Sequence, residues 1–83
     1  MLDKSKLPPK VIAVIDDLAN DLRPIVKSIE NCPMTTRGHY GRYMGIIGNV
    51  AKGNRQVGAL VAQALIDAGA NVQGIKDAFR MSF

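Results

Sequence analysis

The residues able to do chemistry are few. His39 is the one imidazole of this 83-residue chain and Cys32 the one thiol. A nucleophilic cysteine needs a base, and the base an orienting acid; Cys32 stands before Pro33 with neither fixed near it by local spacing. Asp16 and Asp17 are adjacent, so on a helix they point about 100° apart and cannot serve as a paired acid and base. One cysteine and one histidine cannot assemble a metal set. No phosphate-loop lysine motif occurs, and the glycines follow no strand, so a dinucleotide fingerprint is excluded too. The expectation is a protein that binds without catalysing, with no metal and no cofactor.

The stretch TTRGHYGRYMGIIGN, residues 35–49, carries a different chemistry. Residues 1–33 hold five bases and five acids, and residues 56–83 hold two of each. Between them lie Arg37, Arg42, Lys52 and Arg55 with no carboxylate, so the whole net charge of +4 belongs to this segment and its exit. Thr35 and Thr36 add hydroxyls, a helix start adds backbone N–H groups, and Gly38 and Gly41 keep the backbone bare. Arginine forks suit phosphate, and Tyr40 and Tyr43 could stack on a base, although their place on the apolar face favours a core role, with His39 as a further contact. Thr35, Thr36, Arg37, Gly38, His39, Tyr40, Gly41, Arg42, Tyr43, Lys52 and Arg55 are therefore candidate ligands for a nucleotide or a nucleic-acid phosphate.

The same glycines allow another reading. If residues 36–52 are helical, Gly38, Gly41, Gly45 and Gly48 fall within an arc of about 80°. Tyr40, Tyr43, Met44, Ile46, Ile47, Val50 and Ala51 then fill the opposite side. Four interior glycines cost about 0.5–1 kcal/mol each relative to alanine, roughly 2–4 kcal/mol together, which something needing bare backbone must recover. A second helix, from the same chain or another copy, approaching through Gly41, Gly45 and Gly48 would do so. A loop of about seventeen residues in so small a domain is disfavoured.

These residues need helices to position them, and the chain supplies about four. Val11, Ile15, Leu18, Leu22, Ile25 and Ile29 recur at steps of four and three, with Ile12, Ala19 and Val26 flanking them, which predicts an amphipathic helix near 10–31. Pro24 predicts a kink or a short break within it. Asn31-Cys32-Pro33 ends that helix, and Thr35 or Thr36 caps a second near 36–52. Gly53 closes the second and Asn54 caps a third near 55–68; Gly69 closes the third and Asn71 caps a fourth near 72–81. Gln63 is the only polar residue between Gln56 and Asp67, so the third helix should be central. Period-two alternation is weak, and no sheet is expected.

The stretch GNRQVGALVAQALIDAGANVQ, residues 53–73, resembles the second half of an ankyrin repeat in its glycine-polar opening, apolar helix and Gly-Ala-Asn exit. It departs from that pattern in a helix about one turn longer, in lacking the TPLH signature and in having no second copy, where ankyrin repeats stack. No function is carried over from the resemblance.

The fold expected is thus an all-α bundle in one domain, preceded by a flexible tail at residues 1–8, with Lys4, Lys6 and Lys10 forming a solvated basic start. A hydrophobic content of 47% excludes disorder, while the short chain favours self-association for stability. MLDKSKLPPK has no apolar signal core, and the longest uncharged run falls short of a membrane span. The reading is a cytoplasmic accessory or structural protein, of the kind phages and plasmids encode, acting as a homo-oligomer or on a protein partner. Binding of a phosphorylated ligand through 35–55 is the alternative.

Overall fold

The computed structural model describes residues 2–33 and 36–83, and of Thr36 the backbone alone. Four helices make up most of it: α1 (Pro9–Glu30), α2 (Thr36–Ala51), α3 (Arg55–Asp67) and α4 (Val72–Ser82). No strand occurs among the described residues. The helices begin and end within one residue of the expected limits, and the punctuation explains why. Asn54 Oδ1 accepts from the Val57 amide at 3.1 Å and Asn71 Oδ1 from the Gly74 amide at 2.9 Å, so each asparagine caps its helix by satisfying an N–H that has no intrahelical partner. Gly53 and Gly69, at φ +84° and +107°, turn the chain out of α2 and α3 through a conformation that side chains resist. The proposed Thr35 cap lies outside the described residues.

Of the two outcomes expected at Pro24, a break does not occur: α1 is one helix through it. The proline faces solvent, where water can satisfy the Asn20 carbonyl, and buried Leu22 and Val26 hold the phase on either side.

The face that α1 buries differs from the expected seam. Ile15, Ala19, Leu22, Val26 and Ile29 are the buried residues, whereas Val11 and Leu18 are only half-buried and Ile25 is 47% exposed. Ile15, Leu22 and Ile29 of the expected seam are thus buried together with flanking Ala19 and Val26, and α1 packs this stripe, turned part-way toward the flank, chiefly on α3. α3 is central as expected, touching all three other helices, and α2 lies chiefly on α4. α1 and α2 barely touch.

Gln63, buried within α3, is fully used: its Oε1 accepts from the Leu2 amide at 2.7 Å and its Nε2 donates to Asp67 Oδ1 at 2.9 Å. The segment expected as a free tail is correspondingly tied down. Asp3 caps a 3₁₀ turn at Lys4–Lys6, and the Lys4 ammonium bridges Asp16 at 2.9 Å and Asp67 at 2.8 Å. A buried side chain needing a partner, and an ammonium placed between two carboxylates, are what hold this segment against α1 and α3. No described helix is long and apolar enough to cross a membrane.

Candidate functional site

α2 sorts its residues largely as the helical projection requires, with the exception of Val50, expected on the apolar side but 47% exposed. Tyr43, Ile47 and Ala51 are buried; Tyr40, Met44 and Ile46 are half-buried against the core; Arg37, Gly41, Arg42, Gly45, Gly48 and Asn49 are exposed. A methyl group built at Gly41, Gly45 or Gly48 would meet nothing within 4 Å. The expected close approach by another helix of the same chain is therefore absent at these positions. The reason is geometric: α2 turns its large apolar side chains toward α3 and α4, which leaves the glycine arc on the outside.

Gly58 on α3, which the sequence did not single out, is by contrast pressed by its neighbours. A Cβ there would stand 2.5 Å from Cε2 and Cζ of Phe83 and 3.4 Å from Phe79. Phe79 and Phe83 pack with ring centres 5.3 Å apart, and the Arg55 guanidinium carbon lies 5.3 Å from the Phe79 centre. Arg55 is thus engaged with the end of α4.

Beside the glycine arc runs an open groove of about 590 Å³ between α1 and α2. Pro24, Ile25 and Ile29 form one wall and Arg42, Gly45 and Ile46 the other. It exists because α1 and α2 diverge, and because a glycine at 45 raises no wall on the α2 side. Its apolar lining includes Ile25, the member of the expected α1 seam that is left 47% exposed.

The charge of the segment lies on the same side. Arg37, Arg42 and Lys52 are exposed, and among the described residues no carboxylate comes within ion-pair distance of them. Thr35 lies outside the described residues, and Thr36 is placed only as the first residue of α2.

His39 and Tyr43 are drawn inward instead. Tyr43 is fully buried, and its hydroxyl donates to Glu30 Oε1 at 3.0 Å. Of the two roles open to it, stacking on a base and packing in the core, Tyr43 takes the core one, since no base can reach a ring with zero exposure. Burial, then the hydrogen bond to Glu30 and the charge of that carboxylate, push the phenol well above its ordinary value. Glu30 Oε1 also accepts from the Asn71 amide at 2.6 Å. The His39 ring spans the Cys32 carbonyl, 3.1 Å from Nε2, and Glu30 Oε2, 3.6 Å from Nδ1. The carbonyl can only accept, so Nε2 carries the proton on that side. Glu30 therefore ties the end of α1 to α2 and to the start of α4. Periodicity could not reveal this, because Asn71 is 41 residues away.

Cys32 is half-buried at the end of α1. No group of three or more metal-ligating side chains occurs among the described residues. Compared with protein-family models, curated proteins and solved structures, the chain matches none, ankyrin repeats included.

Proposed function

We propose that the chain is a non-enzymatic interaction module that docks an α-helix along the α1–α2 groove, over Gly41, Gly45 and Gly48. The observation that carries this reading is the open space around all three glycines. Each costs about 0.5–1 kcal/mol relative to alanine within a helix, and nothing among the described residues uses the room they leave. A helix arriving from outside could come close to the α2 backbone there while covering Ile25, Ile29 and Ile46. Removing that apolar surface from water supplies the driving force.

The test is a titration of the isotope-labelled protein, kept dilute, with a synthetic amphipathic helix bearing a leucine face. Amide shifts should concentrate at Gly41, Gly45, Gly48 and Ile25, and Gly45→Leu, which fills the space without touching the fold, should abolish them. Shifts scattered over other faces, or none, would refute the reading.

The three exposed cations Arg37, Arg42 and Lys52 favour a second reading, a phosphate-bearing ligand laid along the same helix. It predicts oligonucleotide binding that falls steeply between two salt concentrations and disappears when Arg37 and Arg42 become glutamine. Absence of binding by the unaltered chain removes it.

A further inference from the structure

The exposed surface beside the groove does not end at Ile25. On α1 the exposed stripe that contains it continues toward the N-terminus at helical steps through Asp21, Asp17 and Val14, beside half-buried Leu18, with Val14 56% exposed. From Val14 to Ser28 this stripe is about 21 Å long. Asp17 and Asp21 are neighbours at i and i+4, so their like charges repel, and among the described residues neither has an ion-pair partner. One turn separates Asp21 from Ile25 on α1, and one turn separates Arg42 from Ile46 on α2. A single continuous surface thus carries an apolar centre, carboxylates without cations at one end and cations without carboxylates at the other.

We propose that the occupant of the groove is a second copy of this chain, paired about a two-fold axis that passes over Ile25. The proposal rests on the helix-docking reading and names its partner. In a two-fold pair each contact is made twice, so a surface must complement itself. Here the outer stripe of α1 enters the groove of the other copy, placing Asp21 against the partner's Arg42, and Arg42 against the partner's Asp21. Asp17 extends the acidic end toward the partner's basic α2 face. Ile25 and Val14, left exposed in the single chain, supply the apolar area that is covered. A phosphate ligand would account for the cations but not for the acidic pair or for the exposed apolar stripe.

The test is sedimentation or light scattering of the full chain over a range of concentration, with circular dichroism to verify that each variant is folded; Asp21, Ile25 and Arg42 are exposed, so their replacement leaves the core intact. The unaltered chain should dimerise. Asp21→Arg and Arg42→Asp, each setting like charges opposite one another twice per dimer, should each weaken pairing by at least ~10-fold, and the double exchange in one chain should restore it. Ile25→Glu should give a monomer. A chain that stays monomeric at high concentration, growth without limit beyond a dimer, or a dimer indifferent to both charge reversals would each overturn the proposal. The model-helix titration remains a separate measure of the groove, so a monomer that still binds that helix refutes self-pairing alone.

Discussion

Phe83 lies where a side chain at position 58 would be: its ring carbons Cε2 and Cζ stand 2.5 Å from a Cβ built on Gly58. The contrast with Gly41, Gly45 and Gly48, which have nothing within 4 Å, separates two kinds of helical glycine in one small protein. One makes room for a ring of its own chain; the others make room that the chain leaves empty.

Alanine at Gly41, Gly45 or Gly48 should therefore raise the stability of the single chain by about 0.5–1 kcal/mol each, since the backbone is helical and the space is open. In a domain of this size each substitution should lift the melting temperature by a few degrees, about 4–8 °C per kcal/mol. Gly58→Ala should bring no such gain, because the Phe83 ring must leave its seat and the Phe79 pair, worth about 0.5–1.5 kcal/mol, is disturbed. Thermal melts at low protein concentration make the comparison. Should the three outer variants stabilise the fold but weaken pairing, the bare face is kept at the expense of stability.

Tyr43→Phe should destabilise by about 1–2 kcal/mol, since it deletes the hydroxyl that donates to the Glu30 carboxylate while leaving the buried ring in place. Glu30 keeps the Asn71 amide, which limits the loss. Denaturant unfolding measures it, and an unchanged midpoint would show that the bond adds nothing net.

Stability should fall at both ends of the pH range, for different groups. The phenol of Tyr43 and the ammonium of Lys4 are raised from ordinary values of 10.0 and 10.5, Tyr43 chiefly by burial and Lys4 chiefly by its hydrogen bonds to Asp67 and Asp16. The folded chain then holds these protons when the unfolded chain has released them, so their contribution is intact below about pH 10 and declines as pH climbs through the folded values. For Asp67, burial acts upward, but hydrogen bonds from Lys4 and Gln63 and the charges of Lys4 and Arg23 outweigh it and hold the carboxyl below its ordinary 3.8. Its contribution is present above that value and is lost as pH falls through the folded one. Unfolding midpoints across pH should show Tyr43→Phe flattening the alkaline limb and Asp67→Asn the acid limb.

Asn54→Ala and Asn71→Ala should each cost about 1 kcal/mol, the usual worth of an N-cap, and Asn71 should not cost much more, because its link to Glu30 uses the backbone amide. Equilibrium unfolding of the two variants side by side tests this.

The helices were legible because their signals are local. Asn54, Gly53, Gly69 and Asn71 act within one turn, and the sequence exposes them directly. On α1 the spacing places Ile15, Leu22 and Ile29 in the core but not which neighbours join them: Ala19 and Val26 are buried and Ile25 is exposed, a small rotation of the helix that its packing on α3 decides. The tail at residues 2–7 was unreadable for a similar reason: its anchors, Gln63 and Asp67, are distant in sequence and close only after folding. The glycine arc of α2 could be projected onto one side from its spacing alone. That this side opens outward depended on where Tyr43 and Ile47 found their partners, and Gly58 revealed its purpose only through Phe83.

The arrangement in which α2 rests mainly on α4 has a consequence for how the protein comes into being. A sixteen-residue helix with glycines at 38, 41, 45 and 48 has little tendency to persist alone. Its chief support, α4, is made after it, and the Glu30 carboxylate that pins the Tyr43 hydroxyl also waits for Asn71. During synthesis α1 and α3 can pair first, while the glycine-rich segment stays unformed until residues 72–82 emerge. A nascent chain halted before that point should be cut by proteases within residues 36–52.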